Sequence, residues 1–242
     1  MKNIRIYQAG DYTTGQSIQL DKSASNHLIR VLRLKDGQEF TLFNGQGGEF
    51  SCRLEITGKL ATTHILSFTE PYNESPLNVH LFQGISKGDR MDFAIQKAVE
   101  LGVSNITPVF CERTVVNLKG DRLEKKIHHW QSIAISACEQ SGRNILPTIT
   151  DSYNFDNAIT LNNKHCKLML EPTSSTSIKN VSPETDNISI YIGPEGGFTS
   201  NEVIKAKEEN ILGVTLGPRI LRTETAALSS ITAVQLLWGD LG

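Results

Sequence analysis

After Pro76 the chain alternates short apolar segments with amphipathic ones, and this alternation limits the folds open to it. Apolar runs such as ISIYI at 188–192 carry the β-branched and aromatic residues that are typical of buried strands. Between such runs lie segments with apolar residues at helical spacing, for example Met91, Ile95 and Val99. Strands that alternate with helices indicate a mostly parallel sheet with helices on both faces. We therefore predict an α/β domain in this part of the chain.

The predicted elements of this domain can be placed individually. Predicted helices cover 89–103, 121–143, 199–210 and about 223–238, and predicted strands cover 77–85, 104–110, 166–172, 188–193 and 213–217. Thr199 and Glu202 have the spacing of a capping box, and Gly102 is a natural helix stop.

Residues 1–70 have a different pattern, in which short apolar runs are separated by turns. This pattern predicts a small β domain. One segment, 23–34, has apolar residues at helical spacing and predicts a short helix with Ser23 or Ser25 as its N-cap. The polar, proline-containing segment EPYNESP lies between the two patterns, and we therefore expect domains at 1–72 and 73–242.

The composition of the 242 residues excludes several classes of protein. No apolar run approaches the roughly 20 residues that span a bilayer, and the N-terminus has no signal-peptide core. The four cysteines form no CxxC pair, which indicates reduced packing residues in a cytoplasmic protein. Cys138 lies on an apolar helix face, where packing is the expected role. The histidines lack partners at metal-ligand spacing, so we expect no metal site.

Charge is unevenly distributed, although the net charge is only −2. Residues 80–145 hold nine basic and seven acidic residues, whereas residues 146–242 hold seven basic and eleven acidic ones. A polyanion is therefore expected to meet the first half of the chain rather than the last.

A glycine-rich loop, GPEGG at 193–197, follows the predicted strand 188–193. Its glycines would let backbone amides approach a ligand closely, although a tight strand-to-helix turn would need them equally. The loop has no lysine and matches neither phosphate-binding glycine motif. Glu195 in its centre would repel a phosphate, so a neutral or cationic ligand fits better.

The segment LGPRILRTETAA at 216–227 leads into the last predicted helix. Its leucines and isoleucine could form an apolar wall, and backbone amides near Gly217 could read the edge of a flat heterocycle. Thr223 or Thr225 could cap the helix. The alternative is a simple junction in which Arg222 and Glu224 form a surface pair. In an open α/β sheet, ligands bind beyond the carboxyl ends of the strands, where these loops lie.

Five segments together resemble one known family. They are HLIRVLRLKDGQEF at 27–40, KGDRMDFAIQKAVELGV at 87–103, CEQSGR at 138–143, IGPEGGFT at 192–199 and LGPRILRTETA at 216–226. The chain resembles the RsmE family of bacterial 16S ribosomal RNA uridine N3-methyltransferases, which belongs to the SPOUT class. The likeness covers nearly the whole sequence, and the last two motifs occur together and in order.

The resemblance implies a PUA-like β-barrel that helps to bind RNA, followed by a sheet tied in a deep trefoil knot. It implies S-adenosylmethionine as the cofactor and a homodimer whose sites are completed across the interface. It also implies that the substrate is 16S rRNA, and the near-neutral charge suggests the assembled small subunit. A SPOUT enzyme that acts on another RNA or base atom is the near alternative. A non-catalytic RNA-binding protein and an enzyme that uses a nucleotide phosphate are the more distant ones.

The resemblance also assigns residues. The cofactor-binding set is Leu170, Glu171, Ile192, Gly193, Gly196, Gly197, Leu216, Gly217, Ile220, Leu221 and Thr225. From charge type and location, Arg222 could stabilise negative charge on the uracil, and Glu224 could accept its proton or orient Arg222. RNA contacts are expected from Arg30 and Arg33, which would share a helix face, and from Lys87, Arg90 and Arg143.

Overall fold

The protein is described by a computed structural model that covers residues 4–58 and 60–242. The chain divides into two compact units. The first unit takes the described residues up to Glu74 together with Cys138–Leu146, and the second takes Ser75–Ala137 and Pro147–Gly242. The expected boundary between residues 72 and 73 lies close to the first division, but the sequence pattern does not indicate the return of Cys138–Leu146 to the first unit.

Among its described residues up to Glu74, the first unit is a β-sheet with one short helical segment. In the described residues its strands are β1 (Arg5–Tyr7), β2 (Ser17–Gln19), β3 (Glu39–Phe43), β4 (Glu49–Thr57) and β5 (Leu60–Thr69), in the order β1-β3-β4-β5-β2. All neighbours are antiparallel except β1 and β3. The Gln8 amide bonds to the Gln19 carbonyl oxygen and the Asp21 N–H, and so links the two edge strands.

The short helix of this unit starts earlier than predicted. Helix α1 (Lys22–Asn26) is capped by Asp21, whose carboxylate accepts the Ala24 N–H at 2.8 Å, so the prediction of a serine cap is wrong. A π-helical turn, His27–Val31, continues it and buries Leu28 against the sheet. Because the helical segment ends there, Arg33 lies beyond it, in the left-handed region with φ 56°.

The segment that returns to the first unit is held by one carboxylate. Glu74 accepts the backbone N–H groups of Asn144 and Ile145 at 2.9 and 3.0 Å, and it pairs with the Arg143 guanidinium at 2.7 Å. Arg5 donates to the Arg143 carbonyl oxygen and to the Asn144 side chain. Both oxygens of Glu74 are therefore used to fix this segment.

The second unit is an α/β sheet. Its strands are β6 (Asn78–Gly84), β7 (Asn105–Phe110), β8 (Thr148–Ile149), β9 (Tyr153–Asn154), β10 (Cys166–Leu170), β11 (Asn187–Ile192) and β12 (Leu212–Val214). Its helices are α2 (Asp89–Glu100), most of α3 (Asp121–Ser141), α4 (Phe155–Ala158), α5 (Ser200–Glu208) and α6 (Thr223–Trp238). A 3₁₀ turn lies at Ile178–Asn180.

Every ladder recorded in this sheet is parallel among the described residues, in the order β12-β10-β11-β6-β7-β8, with β9 beside the end of β7. The predicted parallel sheet is thus confirmed. Since all strands point the same way, the ends of β6, β10, β11 and β12 meet at one edge of the sheet. The trefoil knot stays a prediction.

The four helices predicted in this unit are present. Met91, Ile95 and Val99 of α2 are almost fully inaccessible to solvent, and α2 packs against α6. Thr199 and Glu202 form the predicted capping box of α5. Strand β12 is shorter than predicted. Strands β8 and β9 and helix α4 were not predicted, and they have between two and four residues each.

Candidate active site

Three loops meet at the carboxyl edge of the sheet, after β10, β11 and β12, and enclose a cavity of about 280 Å³. Each predicted cofactor-binding residue except Thr225 lines this cavity. Thr225 is exposed, and Thr223, two positions before it, and Ala226, the next residue, line the cavity instead. The loops that contain residues 170–172, 192–198 and 215–221 therefore build one site.

The glycine loop after β11 is shaped by a tight turn and a close approach. The Gly197 N–H bonds to the Pro194 carbonyl oxygen at 2.9 Å, and Gly197 has φ 67°, which an L side chain rarely adopts. At the end of β6, a Cβ on Gly84 would lie only 2.4 Å from the Pro194 nitrogen. Glycine is therefore required at both positions, which brings the loop against the neighbouring strand.

Arg113 holds the outer side of the same loop. Its guanidinium donates to the carbonyl oxygens of Gly196 at 2.8 Å and Phe198 at 3.2 Å, while its side chain lines the cavity. Arg113 was not predicted from the sequence, because nothing near residue 113 indicates a contact with a loop more than eighty positions later.

Thr223 was predicted as a possible helix cap, but in the structure its hydroxyl joins the glycine loop to strand β6. Its buried hydroxyl donates to the Gly193 carbonyl oxygen at 2.7 Å and accepts from the Gln83 amide at 2.9 Å. The N-cap of α6 is Arg222, which makes no side-chain capping bond among the described residues, so the prediction of a threonine cap is wrong. Thr223 instead ties β6, the glycine loop and α6 together.

The loops after β10 and β12 form the remaining walls. The Glu171 N–H bonds to the Val214 carbonyl oxygen at 2.9 Å, and the Glu171 carboxylate accepts the backbone N–H and the hydroxyl of Thr173. Leu216 and Leu221 are half-buried, whereas Ile220 is 86% exposed at the cavity mouth. The walls therefore combine main-chain groups with aliphatic side chains.

Glu195 lies at the edge of this cavity, and its carboxylate is already engaged. Its Oε1 accepts the Lys87 N–H at 2.9 Å and the Arg90 guanidinium at 3.0 Å. Burial raises the pKa of the Glu195 carboxyl, but these bonds and one from its own backbone outweigh burial and hold the pKa below its usual value. Since Arg90 compensates the negative charge, the repulsion of phosphate expected from Glu195 is weaker than the sequence suggests.

A second cavity, of about 210 Å³, lies beside the first. It is lined by Arg90, Glu195, Arg222, Thr223 and Glu224, so it shares Glu195 and Thr223 with the first cavity. The Glu224 Oε2 atom is buried and has no hydrogen-bond partner in the described part of the chain. A buried carboxylate oxygen needs a donor, which a ligand in this cavity could provide.

The residues expected to bind RNA lie in different environments. Arg30 and Arg33 are exposed, but they do not share a helix face, because the helical segment ends at Val31. Lys87 precedes α2 and Arg90 lies in its first turn, both exposed. Arg143 is only 6% exposed and is paired with Glu74, so its assignment as an RNA contact is corrected to a structural role.

No described helix is long and apolar enough to cross a membrane. The described residues also contain no cluster of three or more histidine, cysteine or acidic side chains that could hold a metal ion.

Comparison with known proteins agrees with this geometry. A family model described as "RNA methyltransferase domain" matches residues 73–235, and one described as "RNA methyltransferase PUA domain" matches residues 20–66. A ribosomal RNA small subunit methyltransferase E from Buchnera aphidicola is 38% identical over 98% of this chain and 97% of its own length.

Two solved structures are similar along the whole chain. A methyltransferase from Legionella pneumophila, in complex with S-adenosylmethionine, has a TM-score of 0.96 and 40% identity, with 100% of both chains covered. A ribosomal RNA small subunit methyltransferase E from Neisseria gonorrhoeae, also bound to S-adenosylmethionine, has a TM-score of 0.94 and 40% identity over 99% of this chain and 100% of that one. The chain therefore belongs to the ribosomal RNA small subunit methyltransferase E family.

Proposed function

We propose that this protein transfers a methyl group from S-adenosylmethionine to N3 of a specific uridine in 16S rRNA of the small ribosomal subunit. The observation that carries the proposal is the pair of adjoining cavities, which share Glu195 and Thr223. One is lined by glycines and aliphatic side chains, and the other by charged groups. A methyl donor and a methyl acceptor must occupy adjoining sites in this way.

The first cavity suits S-adenosylmethionine. Its volume of about 280 Å³ is near the lower end of the ~300–1,000 Å³ that is typical of small-molecule sites. Leu216, Ile220 and Leu221 would hold the adenine, and main-chain groups of 193–197 would approach the rest of the molecule. When bound, the cofactor supplies a methyl group on a sulfonium and is left as a neutral thioether.

The second cavity suits the reacting uracil. The N3–H group is a hydrogen-bond donor, and the buried Glu224 Oε2 is an acceptor without a partner among the described residues. Glu224 accepts the N3 proton, and N3 then uses the freed electron pair to form its bond to the methyl carbon. Arg222 stabilises the negative charge that develops on the uracil carbonyl oxygens.

We assign the remaining tasks to the two predicted domains. Residues 1–72 form the PUA-like domain and contribute to RNA binding through Arg30 and Arg33, and residues 73–242 carry methyl transfer. Lys87 and Arg90 are the further RNA contacts. The presence of exposed cationic side chains at all four positions supports this assignment.

We further propose a cytoplasmic homodimer in which each site is completed by the partner, and whose substrate is the assembled small subunit. Apolar side chains near the C-terminus support a self-association surface, because Leu236, Leu237 and Leu241 are between 43% and 56% exposed. Analytical ultracentrifugation would give a molecular mass of about twice the 26.7 kDa chain if the proposal is right.

The deciding experiment is mass spectrometry of ribosomal RNA nucleosides from cells with and without the gene. We expect 3-methyluridine from 16S rRNA to disappear in the deleted strain and to return with the wild-type gene. A gene that encodes Glu224→Gln is the matched control and should not restore it. An unchanged 3-methyluridine level would refute the proposed acceptor, and loss of another methylated nucleoside would favour a different RNA or base atom.

A further inference from the structure

Glu195 belongs to the glycine loop, but its carboxylate also bonds to the beginning of helix α2. The two side-chain bonds end on Oε1 and come from the Lys87 N–H and the Arg90 guanidinium. The proposed methyl transfer assigns no role to this carboxylate. It nevertheless lines both cavities.

The first of these bonds lies directly before the start of α2. The N-cap of this helix is Gly88, which has φ 65° and no side chain with which to accept the free N–H groups of the first turn. Glu195 accepts the N–H of the preceding residue, Lys87, and places a negative charge at the positive end of the helix. The glycine loop therefore holds the beginning of α2 in place.

The second bond fixes the direction of Arg90. The Arg90 side chain is 45% exposed and Glu195 is 26% exposed, so the pair lies at the cavity rim in contact with solvent. Without this bond an arginine has many rotamers, and its ordering against the rim costs conformational entropy. With the bond, Arg90 and Arg222 line the same charged cavity, beside Glu224.

Two guanidinium groups at the rim of a cavity suit a phosphate, which arginine binds through paired hydrogen bonds. We propose that Glu195 is a positioning residue that holds Arg90 at the rim of the acceptor cavity, where Arg90 contacts a backbone phosphate of the target nucleotide. The inference rests on the proposed function. It links the cofactor loop to RNA binding through one side chain.

Arg113 offers a matched comparison, since it holds the same loop from the other side. It bonds to the Gly196 and Phe198 carbonyl oxygens and lines only the first of the two cavities. Substitution of Arg113 should therefore affect the cofactor. Glu195 lines both cavities, but its side-chain partner Arg90 lines only the second, so substitution of Glu195 should act mainly on the RNA.

The test uses the full chain, with small ribosomal subunits from a gene-deleted strain as substrate. For Glu195→Gln we expect KM for the subunits to rise about three- to fivefold, which is the size expected for a partly exposed ion pair. The affinity for S-adenosylmethionine, measured by isothermal titration, should change less than about twofold. Arg113→Ala should give the reverse pattern, and thermal unfolding would verify that both variants are folded.

A double-mutant cycle separates positioning from two independent contacts. Arg90→Ala should raise KM for the subunits, and adding Glu195→Gln to it should have no further effect, because Glu195 acts through Arg90. Arg90→Lys, which keeps the charge, should recover part of the loss. Additive effects of Arg90→Ala and Glu195→Gln would overturn the proposal, as would a Glu195→Gln variant that lowers cofactor affinity but leaves KM for the subunits unchanged.

Failure of the proposed function can be distinguished from failure of this inference. If the wild-type protein does not methylate the subunits, the proposed function is wrong. Filter-binding affinity for 16S rRNA then provides the readout for the same variants. If the wild-type protein methylates them but Glu195→Gln behaves like wild type in KM, only the role of Glu195 is wrong.

Discussion

The two adjoining cavities share Glu195 and Thr223 but differ in the groups that line the rest of their walls. The larger one takes its shape from main chain and glycines, with Gly197 in a left-handed conformation and Gly84 against Pro194. The smaller one is lined chiefly by charged side chains, including Arg90 and Glu224. A cavity of main chain and glycines is fixed as soon as the backbone folds, whereas a cavity of long side chains also needs partners that hold those side chains.

This difference between the cavities predicts which substitutions should affect the cofactor and which should affect the RNA. Changes in backbone freedom should alter binding in the larger cavity, and changes in charge should alter chemistry in the smaller one. Substitutions that alter both equally would show that the two cavities function as one site.

The largest effect is expected from Glu224→Gln, which keeps the shape of the side chain but removes the proton acceptor. We expect kcat to fall by about 10²–10⁴-fold, the usual contribution of a positioned base. Affinity for S-adenosylmethionine should be unchanged in isothermal titration. A Glu224→Gln enzyme with wild-type kcat would show that the smaller cavity is not where the proton is removed.

The second prediction concerns the stability of the fold at acid pH, which is independent of methyl transfer. His80 lies in β6, outside both cavities, where Asn162 donates to Nδ1 and Nε2 bonds to the Thr107 hydroxyl. Burial, with a smaller contribution from His165, lowers the pKa of His80 to about 4. The imidazole stays neutral in the folded protein, while the unfolded chain takes up a proton below its ordinary pKa of 6.5.

The contribution of His80 to the free energy of unfolding is therefore complete above about pH 6.5 and falls as the pH is lowered towards 4, by about 3 kcal/mol. Urea unfolding at several pH values should show this loss, and His80→Gln should flatten the profile. If His80→Gln does not fold, the imidazole resonances of the wild-type protein provide the check. A shift of the His80 resonance between pH 7 and pH 5 would contradict the prediction.

A third prediction addresses the larger cavity. Gly197→Ala places a side chain on a residue with φ 67°, at a cost of roughly 1–2 kcal/mol. We expect the dissociation constant for S-adenosylmethionine to rise about tenfold. Gly213→Ala is the matched control, because its Cβ would meet its nearest neighbours at an ordinary 3.6 Å. Equal effects of the two substitutions would count against a loop that depends on glycine.

The smallest effect is expected from the first unit. Arg30→Glu combined with Arg33→Glu should weaken RNA binding severalfold and reduce the dependence of the binding constant on salt by roughly one phosphate contact for each arginine that binds. Cofactor affinity should not change. An unaltered salt dependence in filter binding would exclude this surface and leave RNA recognition to the second unit.

Much of the fold followed from local patterns in the sequence. Helix α2 was predictable because apolar residues such as Met91 and Ile95 recur at helical spacing, and both are buried in the structure. The parallel sheet was predictable from the alternation of strands and helices. Short elements such as β9 were not predictable, since two residues carry no period. The cap of α1 was misplaced because serine and aspartate both suit that position, and the fold selects Asp21.

The candidate site divides in the same manner. Glycines at 193, 196 and 197 are visible in the sequence because a backbone requirement is recorded in the residue itself. The contact of Glu195 with Arg90 spans 105 positions, and the contact of Arg113 with Gly196 spans 83. Such contacts depend on the tertiary fold, so the sequence could not reveal that Arg90 pairs with Glu195, that Arg143 is buried or that Thr223 bonds to the glycine loop.

The return of Cys138–Leu146 to the first unit has a consequence for synthesis of the chain. Glu74 emerges from the ribosome long before the segment that its carboxylate holds. At about 5–20 residues per second, several seconds pass before Leu146 is made. During that interval the first unit lacks its last segment and the second unit is only partly translated. The first unit can therefore be completed only after residues 75–137 of the second unit have been synthesised.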